Sequence, residues 1–211
     1  ELLAAANADF SGRITLDGSR LTLFENFPYV SIDLQGLRIF EDKSSATRPL
    51  VELEDLYLGL DVLTVLRGNF EIKTIKIANG YLELEQYEDG TLNMARALAP
   101  RSGAGEPADD LHLSIRALKI SSLSITKHNA GSALTVRSDL SEAIVGFSSS
   151  PTALNMSFSG DMIATILEQG EPSFLHDKPL RLTTQISLDN ASRVATVEPS
   201  EIQLEAAVFT V

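Results

Sequence analysis

The feature that most constrains this chain is a period-two alternation of apolar and polar residues that recurs through most of its 211 residues. Successive side chains of a strand point to opposite faces, so such a run builds strands with one apolar and one polar face. Ile14 and Leu16 open the pattern, followed by a turn expected at Asp17-Gly18 and then by Leu21 and Leu23. Val30, Ile32 and Leu34 continue it, then Leu37 and Ile39, then Leu56, Leu58 and Leu60. Ile75 and Ile77 lead through Asn79-Gly80 into Leu82 and Leu84, and the Asn-Gly dipeptide predicts a hairpin there. The second half repeats the habit at Leu111, Leu113 and Ile115, at Leu123 and Ile125, over 180–186 and over 202–208.

Helical signals are few. Residues 1–6 read as the tail of a helix, Asp61–Arg67 as a short helix stopped by Gly68, and Asn93–Leu98 as one or two turns. Asp161–Gly170 is the strongest of them, with an aspartate in the N-cap position and a glycine at the far end, so a short helix is expected near 161–169. The stretch Arg101–Asp110 (RSGAGEPADD) carries no large apolar residue. It reads as an exposed loop over 99–110, dividing a module at 1–98 from further strands at 111–211 that continue the sheet. Ile72-Lys73-Thr74-Ile75-Lys76-Ile77 is echoed by Ile115-Arg116-Ala117-Leu118-Lys119-Ile120. In both segments the apolar spacing slips from three to two, which requires a bulge or a bend.

The expected class is therefore mainly β, with a few short helices. Helical segments this short cannot cover the apolar face of so many strands. The sheet must pack on a second sheet as a sandwich, or curve and leave an apolar trough for a ligand. Periodicity alone leaves both open.

Chemistry is sparse. With 17 basic against 29 acidic residues the net charge is −12, which repels nucleic acid and anionic headgroups, so no nucleic-acid partner is expected. The chain has no cysteine, which removes disulfides, thiolate metal sites and cysteine nucleophiles. His112, His128 and His176 lie far apart without metal-ligand spacing, and no metal or cofactor is expected. Glu52/Glu54 and Glu83/Glu85 fall on the polar phase of strands and read as solvated surface. Asp89-Gly90-Thr91-Leu92-Asn93 lacks the ligand repeat of a calcium loop and reads as a tight turn. No nucleophile–base arrangement is visible, so the chain reads as a non-enzyme. It opens on Glu1 and stops at Val211 inside an alternating run, which leads us to expect a longer parent protein.

One stretch is more specific than periodicity requires. Phe27-Pro28-Tyr29-Val30-Ser31-Ile32-Asp33-Leu34-Gln35-Gly36-Leu37-Arg38-Ile39 resembles the opening of AsmA-like proteins of the bacterial envelope. Leu50-Val51-Glu52-Leu53 is similar to the strand that follows in that family, and Leu60–Gly68 (LDVLTVLRG) to its short helix. Phe70–Gly80 (FEIKTIKIANG) resembles the next strand, and Asp89-Gly90-Thr91-Leu92-Asn93 the close of the family's N-terminal module. The resemblance covers roughly residues 10–98. It implies a curved, mostly antiparallel sheet of the taco or groove type seen in chorein-like bridge proteins. It further implies an anchor in the inner membrane outside these residues, a body on the periplasmic face, and a role in outer-membrane biogenesis and lipid transport or homeostasis. The implied ligand is a phospholipid or another acyl-chain molecule. Its expected lining is Val30, Ile32, Leu34, Leu58, Leu60, Ile75, Ile77, Leu82, Leu84, Leu113, Ile115, Leu123 and Ile125. The alternative is a closed β-sandwich that serves as a scaffolding or interaction segment of an envelope protein.

Overall fold

The computed structural model describes residues 2–22, 29–44, 48–61, 71–100, 112–149, 153–189, 192 and 194–210. Helix α1 (Leu2–Asp9) precedes the short strands β1 (Arg13–Thr15) and β2 (Gly18–Thr22) and the long strands β3 (Tyr29–Phe40), β4 (Val51–Asp61) and β5 (Glu71–Gln86). Helix α2 (Asn93–Ala97) lies in the connection to β6 (His112–Asn129). Next come β7 (Leu134–Ser149), β8 (Ala153–Glu168), β9 (Glu171–Pro172), β10 (Lys178–Asp189), β11 (Ala195–Val197), β12 (Glu201–Leu204) and β13 (Ala207–Thr210). The strands form one open, curved, 13-stranded sheet along the path β1-β3-β4-β5-β6-β7-β8-β10-β12-β13, and no second sheet is present among the described residues. β2 joins β3 beyond β1, β9 joins β8, and β11 joins β10.

Every pairing is antiparallel except β5 with β6. A parallel neighbour needs a crossover, and the connection over 87–111 that carries α2 supplies one. The pairing sets the two echoed segments side by side, with Ile75 beside Leu118, Lys76 beside Lys119 and Ile77 beside Ile120. The slip in apolar spacing that both segments share is a register shift between Ile72 and Thr74, and β4 has a matching irregularity at Gly59/Leu60.

Because paired residues share a face, the register turns the alternation into apolar rows that run across the strands. One row is Leu37–Leu53–Gly80–Leu123–Leu140–Met162–Leu180–Leu204, spanning eight strands. Its neighbour is Leu34–Leu56–Ile77–Ile120–Ala143–Gly160–Leu182–Ile202. Gly160 is required in that row: a Cβ there would stand 2.8 Å from the Ala143 Cβ and 3.0 Å from the Phe158 ring. The opposite face carries ion pairs between neighbouring strands, among them Arg38 with Glu52 (2.9 Å) and Arg181 with Asp161 (2.7 Å).

A transverse crease separates the two rows. It crosses Asp17, Gly36, Glu54, Asn79, Ser122 and Ser141, each of which the ladders skip. Gly36, Asn79 and Ser122 adopt left-handed backbone with φ of 62°, 55° and 55°. At this line the apolar phase slips by one residue, from Leu34 to Leu37 and from Ile120 to Leu123. Gly36 admits no side chain, since a Cβ would lie 2.1 Å from the Asp17 carboxylate.

The crease corrects two expectations. Asn79-Gly80 does not reverse the chain: β5 runs straight through it, and Asn79 shifts the pleat instead of forming a hairpin. Asp17-Gly18 is likewise no reversal, because β1 and β2 pair with β3 in the same direction and on one line, and Asp17 N–H still donates to the Gln35 carbonyl. Both dipeptides tolerate left-handed or strained backbone, and in both the neighbouring strand holds the chain in the ladder on either side.

The helix expected near 161–169 is also corrected. Residues 161–168 belong to β8, paired with β7 on one side and β10 on the other, and Gln169-Gly170 is the turn into β9. Met162, Ile163, Ile166 and Leu167 do repeat at helical spacing. The two flanking strands and the β-branched Ile163, Thr165 and Ile166 override that signal. Helices do form at 2–9 and 93–97, where the sequence predicts them. The helix expected over Asp61–Arg67 and the loop over Arg101–Asp110 lie outside the described residues, apart from Asp61, which ends β4.

Candidate functional site

The residues expected to line a trough do share the apolar face. Val30, Leu60 and Ile72 form a buried cluster with Ile32, Leu58, Ile75 and Ile115 packed on it. Across the next rows a larger cluster is built on Val51, Leu53, Ile120, Leu123, Leu140 and Ala143, with Ile77, Leu82 and Ile125 against it. Leu34 lies beside Leu56, and Leu84 is half-buried two residues beyond Leu82 on the same phase. Leu113 is placed beside Ile72 by the β5–β6 register, and its side chain lies outside the described residues. The face is not uniformly available, however. Val30, Leu60 and Leu123 are 7%, 4% and 5% exposed, so these three are core rather than surface.

Sequence reasoning missed much of the face. Leu140, Ala143, Val145, Phe158 and Met162 lie at its centre, next to Leu118 and Ile120, which the echo of 72–77 at 115–120 does place on the strip. In β7 the signal is diluted by Ser138, Asp139, Ser141 and Glu142 and broken by the phase slip at Ser141, and in β8 it reads as helical. Leu180, Leu182, Ile202 and Leu204 continue the rows across β10 and β12.

Helix α2 caps one end of the face, and polar contacts hold it there. Met94 and Ala97 pack on the larger cluster. The buried Asn93 ties the helix start to the sheet, its Nδ2 donating to the Glu83 carbonyl at 2.9 Å while its Oδ1 accepts from Met94 N–H at 2.7 Å. Thr91 donates to Asp89 through both N–H (2.9 Å) and hydroxyl (2.6 Å), so the Asp89-Gly90-Thr91 segment is a tight turn. These bonds, with Arg96 beside it, hold the Asp89 carboxyl below its ordinary pKa. Tyr87 donates to Glu41 at 2.7 Å, and its ring lies 3.7 Å from the Arg96 guanidinium. Burial, and then the bond to Glu41, push the Tyr87 phenol up to about 12.

Toward the far edge of the sheet the same rows open to solvent. No apolar residue of β10, β11, β12 or β13 is buried, and Val197 and Phe209 are 63% and 52% exposed. The polar face there bears a cleft of about 700 Å³ lined by Arg116, Ser157, Thr183, Gln185 and Glu198 among others, an array of hydroxyl and amide groups with a few charged side chains.

Among the described residues no group of three or more His, Asp or Glu side chains is placed to hold a metal ion. His128 Nδ1 sits 2.9 Å from the Thr135 hydroxyl, and His176 lies 3.5 Å from Asp177. No helix among the described residues is long and apolar enough to cross a membrane. What the site offers is an apolar surface several strands wide on a curved sheet, closed at one end by α2 and open at the other. Comparison with models of known protein families and with curated proteins returned no match.

Proposed function

We propose that this protein is a non-catalytic, AsmA-like envelope protein that binds or conducts lipid acyl chains along the apolar face of its curved sheet. It would act on the periplasmic side of the inner membrane, anchored through a segment outside these residues, and serve outer-membrane biogenesis and lipid homeostasis. The observation that carries the reading is the continuity of the apolar rows across eight strands of a single open sheet. An acyl chain gains about 0.8 kcal/mol for each methylene it buries, so a long shallow strip holds a lipid without a deep pocket. The resemblance of residues 10–98 to AsmA-like proteins points the same way.

The test is uptake of a fluorescent fatty-acid probe, together with native mass spectrometry of gently extracted protein. The wild type is expected to bind the probe and to carry co-purified lipid. Leu182→Asp and Ile202→Asp place charge on half-exposed positions of the strip, so the fold should survive while probe binding falls at least tenfold. A wild type that takes up no probe and carries no lipid overturns the reading.

A further inference from the structure

The polar face is not the same everywhere. Over much of the sheet it is held by ion pairs between neighbouring strands, such as Arg38 with Glu52 and Arg181 with Asp161. Across β7, β8 and β10 it changes character. Two adjacent rows there, Ser148–Asn155–Ser187 and Gly146–Ser157–Gln185, contain no charged residue. Both rows line the cleft of about 700 Å³ on that face, a volume in the range of roughly 300–1,000 Å³ usual for small-molecule sites. Among the described residues no hydrogen bond ties the side chain of Ser148, Asn155, Ser157, Gln185 or Ser187 to the protein, so these donors and acceptors face solvent.

The cleft has a built wall. Glu198 N–H donates to the Gln185 carbonyl at 2.8 Å and Glu201 pairs with Thr183, so Pro199 and Ser200 together stand opposite the single Thr184. Such a bulge lifts its strand out of the pleat. Ser200 pins it: its buried hydroxyl shares a hydrogen bond with the Thr184 hydroxyl at 2.7 Å and donates to the Glu198 carbonyl at 3.1 Å. Pro199 and Glu198 are thereby fixed along one side of the cleft, while Arg116 stands on the β6 side. At Gly146 the floor carries no side chain, and a Cβ there would lie 2.6 Å from the Ser157 hydroxyl.

We propose that this cleft binds a neutral oligosaccharide. A sugar hydroxyl both donates and accepts, and a primary amide presents a donor and an acceptor side by side, so Asn155 and Gln185 match neighbouring hydroxyls of one ring. The serines and Thr183 adapt by rotating their hydroxyls. Three strands abreast span roughly 10 Å, enough for about two sugar rings. A peptide is the poorer fit, because β7, β8 and β10 are each paired on both sides and leave no backbone row for a peptide to join. An anionic ligand is also disfavoured, since Glu198 and Glu201 outnumber Arg116 in the lining and the whole chain carries −12. The cleft lies on the face opposite the apolar rows, so it stands apart from whatever those rows bind.

Titration of the full chain with maltotriose, cellotriose and chitotriose, followed through backbone amide shifts, tests the site. At least one of them is expected to shift the amides of Gly146, Ser157 and Gln185. A handful of exposed hydrogen bonds supports a dissociation constant on the order of a millimolar. Gly146 is not in left-handed backbone, and the Ser157 hydroxyl can turn aside. Gly146→Val should therefore keep the fold, fill the floor and weaken binding at least tenfold. Asn155→Ala and Gln185→Ala remove exposed side chains and should each weaken it several-fold, while Gln35→Ala, on the polar face of β3, should leave it unchanged. Uptake of the fatty-acid probe should be the same with and without the sugar. The proposal is overturned if none of the three sugars shifts those amides up to its solubility limit. Binding that survives both Asn155→Ala and Gln185→Ala overturns it as well, and so does tighter binding at the same amides by a phosphorylated sugar or a neutral tripeptide.

Discussion

The strands β3–β7 and the strands β8–β13 follow the same alternating pattern, yet they end in different states. In the first group the apolar rows are packed into core: Leu53, Leu123 and Leu140 are each 5% exposed. In the second group Leu180, Leu182, Ile202 and Leu204 stand in the same rows by register and remain half-buried. The local pattern is equal in the two, so the difference arises from what lies over each. The first group has α2 above it, drawn in by Asn93 and the Tyr87–Glu41–Arg96 cluster, and it is bent by the crease through Gly36, Asn79 and Ser122. The second has no helix on it among the described residues. An alternating strand makes an apolar surface. Curvature and a cap decide whether that surface is core or contact.

Placing one charge on each region breaks the comparison most sharply. Leu123→Asp buries an unpaired carboxylate and deletes core volume, and should cost roughly 3–5 kcal/mol. Leu182→Asp, at a half-open position of the neighbouring row, should cost about 1 kcal/mol. Thermal unfolding measures both, and at about 2–4 °C per kcal/mol for a chain of this size the gap is easily resolved. Equal losses would mean that the two regions are packed alike.

The crease is the next target. A β-branched residue in left-handed backbone is strained, so Asn79→Val and Ser122→Val should each lose about 1–2 kcal/mol, while Asn79→Gly and Ser122→Gly should be near neutral. Matched denaturation curves decide it. If valine is tolerated at both, the left-handed backbone is not what bends the sheet.

The smallest effect concerns pH. Arg181 hydrogen-bonds Asp161 and holds its carboxyl below the ordinary value, as Thr91 first and then Arg96 do for Asp89. A depressed carboxyl contributes stability that is fully present above the unfolded pKa of about 3.9 and is lost as pH falls through the lower folded value. Both carboxylates are solvent-exposed, so the loss should be slight. Asp161→Asn should flatten the acid limb of a stability–pH profile a little, and Asp89→Asn should do so while also loosening the α2 cap. At the alkaline end Tyr87, pushed up to about 12 by burial and by Glu41, should ionise well above the ordinary tyrosine value of about 10 in a titration followed by ultraviolet absorption. Tyr87→Phe should remove that step.

Much of the first region was legible in the residues. The alternating runs at 30–39 and 56–60 are strands, Asn93–Ala97 is a helix, and the spacing slip at 72–77 is a bulge. Less of the second region could be read. Residues 161–168 carry helical spacing and form a strand, because two flanking strands supply hydrogen bonds that an isolated segment lacks. Asn79-Gly80 reads as a hairpin and acts as a phase shift, because its neighbours on β4 and β6 continue unbroken past it.

By itself, then, the sequence determined that this protein would be a sheet with one apolar face, since alternation is a local property set by the geometry of the strand. It also determined the polar character of the opposite face and the left-handed tolerance of Gly36 and Asn79. Only the tertiary structure decided that the strands make one sheet, that β5 lies parallel to β6, and that six neighbouring lines share a crease. It also decided which leucines of a common row are buried. Those outcomes depend on the register between strands distant in sequence and on where α2 settles, and no window of consecutive residues contains that information.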